Sequence, residues 1–104
     1  MARFDVYASP LADERQHTPF WTDVQADHLS QLATRVIVPL VRLDGERRPA
    51  ERLNPTFTVQ GVQVFADTAN LGTFPKRWLH APVASLREER LALENALDFL
   101  LTGH

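Results

Sequence analysis

Along most of this chain apolar and polar residues alternate in short bursts, and only the final stretch changes to a helical period. Phe4-Asp5-Val6-Tyr7 keeps a period of two, as a half-buried strand does. Residues 9–18 are polar, with Pro10 at the start of the segment and Pro19 just after it, which reads as a loop. Phe20-Trp21-Thr22-Asp23-Val24-Gln25 resumes an aromatic and β-branched strand pattern. Residues 26–34 form a polar connection with room for a helical turn, and they carry His28 and Leu29 in an open position. The most hydrophobic run follows, Arg35-Val36-Ile37-Val38-Pro39-Leu40-Val41-Arg42-Leu43. It is too short and too β-branched for a helix and predicts a core strand, with Pro39 marking a bulge or an edge because it has no N–H for the ladder.

A second polar loop runs from Asp44-Gly45 to Asn54-Pro55. Thr56-Phe57-Thr58-Val59 and Val62-Gln63-Val64-Phe65 then flank Gln60-Gly61, a tight-hairpin pattern in which Gly61 supplies positive φ. Residues 67–75 read as turns, and Arg77-Trp78-Leu79 and Ala81-Pro82-Val83 as short extended pieces. From Leu86 to Thr102 neither Pro nor Gly interrupts a run of good helix formers. Ser85 and Glu88 have capping-box spacing at its start, and Gly103 stands where a helix end needs a left-handed residue. At ~100° per residue, Leu86, Leu93, Leu97 and Leu100 share one face, which predicts the stripe that packs on the sheet. Arg87, Glu88, Glu94, Asn95 and Asp98 lie opposite. Leu91 and Phe99 fall outside the stripe and Leu101 at its edge; either these cover flanking strands or a dimer seam, or Phe99 and Leu101 help form an apolar contact patch beside the C-terminus. Several antiparallel strands followed by one helix predict a small β-barrel or curled sheet, not an alternating βαβ fold.

Composition narrows the function. At 104 residues the chain predicts one domain, residues 1–104. A net charge of −2, scattered along the sequence, lacks the basic face that a duplex nucleic-acid binder needs. With no cysteine, disulfides and thiolate chemistry are excluded. No apolar run approaches the ~18–20 residues of a membrane span. The N-terminus has no signal-like apolar region, so a soluble cytoplasmic protein is expected.

Catalytic patterns are missing too. His17, His28, His80 and His104 have no i, i+4 spacing, and neither a Gly-x-Ser-x-Gly elbow nor a phosphate-binding glycine loop occurs. Asp13-Glu14, Glu88-Glu89 and Asp23 with Asp27 read as surface carboxylates. Arg47-Arg48 and Lys76-Arg77 read as solvated loop pairs. No cofactor or metal is expected, and the function should be binding rather than catalysis.

In order and spacing these segments resemble the CcdB family of bacterial toxins from toxin–antitoxin modules. The likeness spans nearly the whole chain: Phe4-Asp5-Val6-Tyr7, Phe20-Trp21-Thr22-Asp23-Val24-Gln25-Ala26-Asp27, Arg35-Val36-Ile37-Val38-Pro39-Leu40, Leu53-Asn54-Pro55 with the hairpin, Val83-Ala84-Ser85-Leu86, and Asn95-Ala96-Leu97 with Gly103. It implies an SH3-like antiparallel β-barrel with a small accessory sheet and a C-terminal helix, assembled as a homodimer. Such toxins poison DNA gyrase by entering between its A subunits and trapping it on cleaved DNA, and a CcdA-like antitoxin holds them inactive. Carried to this sequence, the gyrase-contacting surface is His28, Leu29, Asn95, Asp98, Leu101, Thr102, Gly103 and His104. The family ending is Trp-Gly-Ile, whereas here it is Thr102-Gly103-His104. A Trp buries ~150–250 Å² and stacks on cations, and truncating such an anchor can cost ~2 kcal/mol or more. Gyrase binding weaker by about tenfold to a hundredfold is therefore expected. The alternative is a non-toxic dimeric relative that keeps antitoxin binding and has lost gyrase poisoning.

Overall fold

A computed structural model describes residues 2–103. Seven antiparallel strands form one sheet: β1 (Asp5–Ala8), β2 (Phe20–Asp23), β3 (Thr34–Arg42), β4 (Thr56–Val59), β5 (Val62–Ala66), β6 (Gly72–Pro75) and β7 (Ala84–Ser85). One α-helix among the described residues, α1 (Arg90–Thr102), follows. The strand order is β4-β5-β3-β2-β1-β7, with β6 also on β3. This is the mainly β, nearly closed SH3-like barrel with one C-terminal helix that the family resemblance implies, except that the accessory strands are continuous with the barrel in a single sheet.

The long strand β3 organises the sheet by changing partners. Its first half pairs with β6, from Thr34↔Pro75 to Ile37↔Gly72, and its second half with β5, from Leu40↔Ala66 to Arg42↔Val64. Pro39 sits at the changeover. Its carbonyl accepts from the Asp67 N–H at 2.8 Å, so its nitrogen faces the same flank, where β6 has ended and no ladder donor is needed. At the hairpin tip Gln60 and Gly61 both have positive φ, +49° and +78°, matching the twist of the flanking strands. The Gln60 side chain then donates to the Val83 carbonyl at 3.2 Å, bridging the seam between β4 and β7.

Both faces of the central strands are covered, so neighbouring residues such as Val6 and Tyr7, Phe20 and Trp21, or Ile37 and Val38 are all buried. One cluster fills the barrel with Phe4, Val6, Phe20, Val38, Leu40 and Val64, closed by Leu86 and Leu93. The other holds Tyr7, Trp21, Ile37 and Leu79 under Leu11 and Phe74, with the Trp21 and Phe74 rings 4.4 Å apart.

Four local expectations are corrected. Residues 67–75 are not all turn: β6 is a strand, because the first half of β3 needs a partner. Arg77 and Trp78 lie in a 3-10 turn (Lys76–Trp78) rather than an extended piece. The helix starts at Arg90, not Leu86. The Leu86 N–H bonds to Phe4 and the Ser85 hydroxyl accepts from the Arg87 N–H, which leaves the capping box unmade and a 3-10 turn, Arg87–Glu89, before α1. The deepest helix positions are Leu93 and Ala96, while Leu97 and Leu100 are only half-buried.

Candidate functional site

Two exposed features stand on this frame, the end of α1 and the turn that follows β2. The helix ends because Gly103 takes φ +78°, and its N–H returns to the Phe99 carbonyl at 2.9 Å. The Thr102 hydroxyl donates to the Asp98 carbonyl at 2.6 Å, folding back on its own helix. Asn95, Asp98, Leu101, Thr102 and Gly103 are all exposed, Leu101 by 73%. Phe99 is half-buried, with the Arg52 guanidinium 4.4 Å from its ring centre. That contact draws the β3–β4 loop against the helix, and a shallow groove lined by Glu51, Arg52, Pro55, Ala92 and Asn95 runs beside it. His104 lies outside the described residues.

The second feature is the 3-10 turn Asp27–Leu29, on which His28 and Leu29 are exposed. Arg3 connects it to the helix. Its N–H donates to Asp27 Oδ1 at 2.7 Å, its Nε to the Val24 carbonyl at 2.9 Å, and its Nη1 lies 4.0 Å from Glu94 Oε1. The turn and α1 are thus joined through one arginine. Lys76, expected to be solvated, instead donates from Nζ to the Ser30 carbonyl at 3.1 Å and holds the far end of the same loop. Arg47 also departs from a solvated role, pairing with Asp67 through both terminal nitrogens at 3.2 and 3.3 Å.

Beneath the turn lies a buried charge pair. Asp23, read from the sequence as a surface carboxylate, is fully buried, as is Arg35. Arg35 Nε donates to Asp23 Oδ2 at 2.7 Å. Nη2 is 2.6 Å from the same oxygen but off the hydrogen-bonding direction, so it makes an ion contact rather than a second hydrogen bond. Burial pushes the Asp23 carboxyl above its ordinary value, and the Gln25 N–H and Arg35 pull it back. Burial likewise pushes the Tyr7 phenol up to about 12, with the charges of Asp5 and Asp23 adding to the effect. Sequence reasoning missed this pair. An arginine two residues before Ile37 in the most apolar strand was the available signal, since strand alternation puts the two side chains on the same covered face.

Among the described residues no group of His, Cys, Asp and Glu is gathered closely enough to hold a metal ion, and no helix is long and apolar enough to cross a membrane. What the arrangement offers is contact: an apolar, partly charged helix tip, and a small tethered turn linked through Arg3 to Glu94 near the start of the same helix.

No curated relative matches the chain. The family model described as CcdB protein matches residues 3–103, nearly the whole sequence and all of the strands and the helix. With the barrel, its terminal helix and that full-length match in agreement, the chain belongs to the CcdB family, the toxins of toxin–antitoxin modules.

Proposed function

We propose that this single-domain protein is a gyrase-directed toxin that acts by binding, as a cytoplasmic homodimer, to the DNA gyrase A subunit and is neutralised by a CcdA-like antitoxin. The contact surface is His28, Leu29, Asn95, Asp98, Leu101, Thr102, Gly103 and His104. The observation that carries this reading is the exposed carboxyl end of α1: Leu101 is 73% exposed and the chain leaves the helix through a left-handed Gly103. A helix end held open in this way can enter a cleft in a larger partner without unfolding the barrel. Poisoning needs no reaction by the toxin, so no catalytic group or cofactor is assigned.

A second reading is favoured by Thr102, whose short side chain is spent on Asp98 and presents no aromatic surface. Here the protein binds its antitoxin and no longer poisons gyrase. Biosensor measurement of the purified chain against gyrase A subunit separates the two, with the Thr102→Trp variant alongside. Measurable wild-type binding that strengthens at least tenfold in the variant supports the toxin. Absence of binding in both, with an antitoxin peptide still captured, supports the second reading. Induction in a susceptible bacterium adds a cellular readout: normal growth without gyrase-linked DNA breaks removes the poisoning claim.

A further inference from the structure

Just past the end of β2 the Val24 N–H still donates to the Val36 carbonyl at 2.9 Å, and from there three side chains at alternate positions carry the hydrogen bonding. Asp23 Oδ1 accepts from the Gln25 N–H at 2.9 Å. Gln25 Oε1 accepts from the Val36 N–H at 3.1 Å, while its Nε2 donates to the Leu29 carbonyl at 2.9 Å. Asp27 Oδ1 accepts from the Arg3 N–H. Of the three, Gln25 joins the turn to β3, and it is buried, only 6% exposed.

The turn needs such a tie. A 3-10 segment of three residues, Asp27–Leu29, has weak internal geometry, and here it has no side-chain cap and contributes no buried residue. Apolar packing therefore does not fix its direction, and polar tethers must.

We propose that Gln25 is the positioning residue for this turn: its amide sets the direction in which His28 and Leu29 leave the barrel. What the turn meets rests on the gyrase-binding reading above, whereas the positioning itself does not. Gln25→Met keeps the length and apolar stem and removes both hydrogen bonds.

Backbone 15N order parameters of the full chain are one readout. Wild type should be rigid at Leu29 and Ser30, near ~0.85, and Gln25→Met should fall below ~0.6 there, with Val38 and Leu40 unchanged. A turn that is already mobile in wild type, equally rigid in the variant, or loosened together with Val38 and Leu40 overturns the proposal. The second readout is affinity for gyrase A subunit. Gln25→Met should lose about tenfold in an otherwise wild-type chain and almost nothing when His28 and Leu29 are both already alanine, because the effect passes through them. Equal losses in the two backgrounds overturn the proposal. If wild type shows no gyrase binding, the functional reading fails and the order parameters still decide this one.

Discussion

Removing Arg35 tests how the interior of this barrel tolerates charge. Its guanidinium and the Asp23 carboxylate are both fully buried, 2.6–2.7 Å apart at their nearest atoms, and Arg35 Nη1 has no hydrogen-bond partner among the described residues. Charge centres about 4 Å apart attract by ~4 kcal/mol at an effective dielectric near 20. The desolvation of two ions opposes this with several kcal/mol each, so the intact pair contributes little net stability. The partners are unequal once separated. In Arg35→Met the carboxylate keeps only the Gln25 N–H, and loss of one partner of a buried pair costs about 3–5 kcal/mol. With a urea slope of ~2 kcal/mol per M, the midpoint should drop by about 2 M at pH 7. The buried Trp21 ring supplies a fluorescence signal for the transition. Adding Asp23→Asn should recover most of the loss, since the Asn oxygen can still accept from Gln25 and the stranded charge is gone.

The pH dependence has a definite sign. Burial already holds the folded Asp23 carboxyl above its ordinary 3.8, and without Arg35 it rises further. A group with a raised folded pKa contributes stability below its unfolded value and loses it as pH rises through the folded value. The gap between Arg35→Met and wild type should therefore narrow as pH falls from 7 toward 4. The reasoning is refuted by a loss below about 1 kcal/mol at pH 7, or by a double variant no more stable than the single one.

Tyr7 is the only tyrosine, so alkaline absorbance titration reads it alone. Phenolate should appear near pH 12 or only on unfolding; because the folded value lies above the ordinary 10.0, up to about 3 kcal/mol of stability should be lost as pH rises from 10 to 12, and ionisation near 10 in the folded protein would contradict its burial. Leu93→Ala should cost about 2–5 kcal/mol in urea unfolding, since Leu93 is 1% exposed and holds α1 on the barrel; a cost under about 1 kcal/mol would mean the helix is held elsewhere. Gly103→Ala forces an L side chain to φ +78° at a cost of about 1 kcal/mol and should fray only the last turn, seen as shifted Cα resonances at Leu101 and Thr102 against an unchanged core.

Features whose causes lie close together in the chain could be read directly. The Gln60-Gly61 hairpin and the stop at Gly103 each follow from a residue's backbone freedom, and Pro39's missing donor marked a break in the ladder as a bulge or an edge, though not the change of partner found there. Features set by distant partners could not. Gly72-Thr73-Phe74-Pro75 looks like a turn because Gly and Pro bound it, and it becomes a strand because β3 offers an open flank there. Ser85 and Glu88 have capping-box spacing, yet the preceding backbone is held by β1, so the chain must complete its pairing before it can coil. Asp23 resembles any exposed carboxylate until it is placed against an arginine twelve positions on. Among the proposed contact residues, His28 and Leu29 in their open turn were foreseeable from polarity, whereas the Gln25 amide that tethers them was not.

The two halves of the proposed contact surface are anchored by different forces, and this bears on how a departure at the helix tip can be tolerated. The body of α1 is fixed by burial of Leu93 and Ala96, both upstream of the tip. Beyond them Leu101, Thr102 and Gly103 are exposed, and the Thr102 hydroxyl bonds within its own helix. A Trp or a Thr at position 102 therefore makes little difference to the barrel, since neither would enter the core. Its consequence falls almost entirely on whatever the tip meets. The turn behind β2 is the reverse case: it buries nothing, but its tethers reach into the sheet through Gln25 and, one step further, to the Asp23–Arg35 pair. Loss of the Asp23–Arg35 pair should therefore loosen the turn as well, whereas loss of the Gln25 tether alone leaves the core strands in place. On the proposed reading, target affinity can be reset at the carboxyl end at almost no structural cost, while the geometry of the second contact is tied to the stability of the sheet.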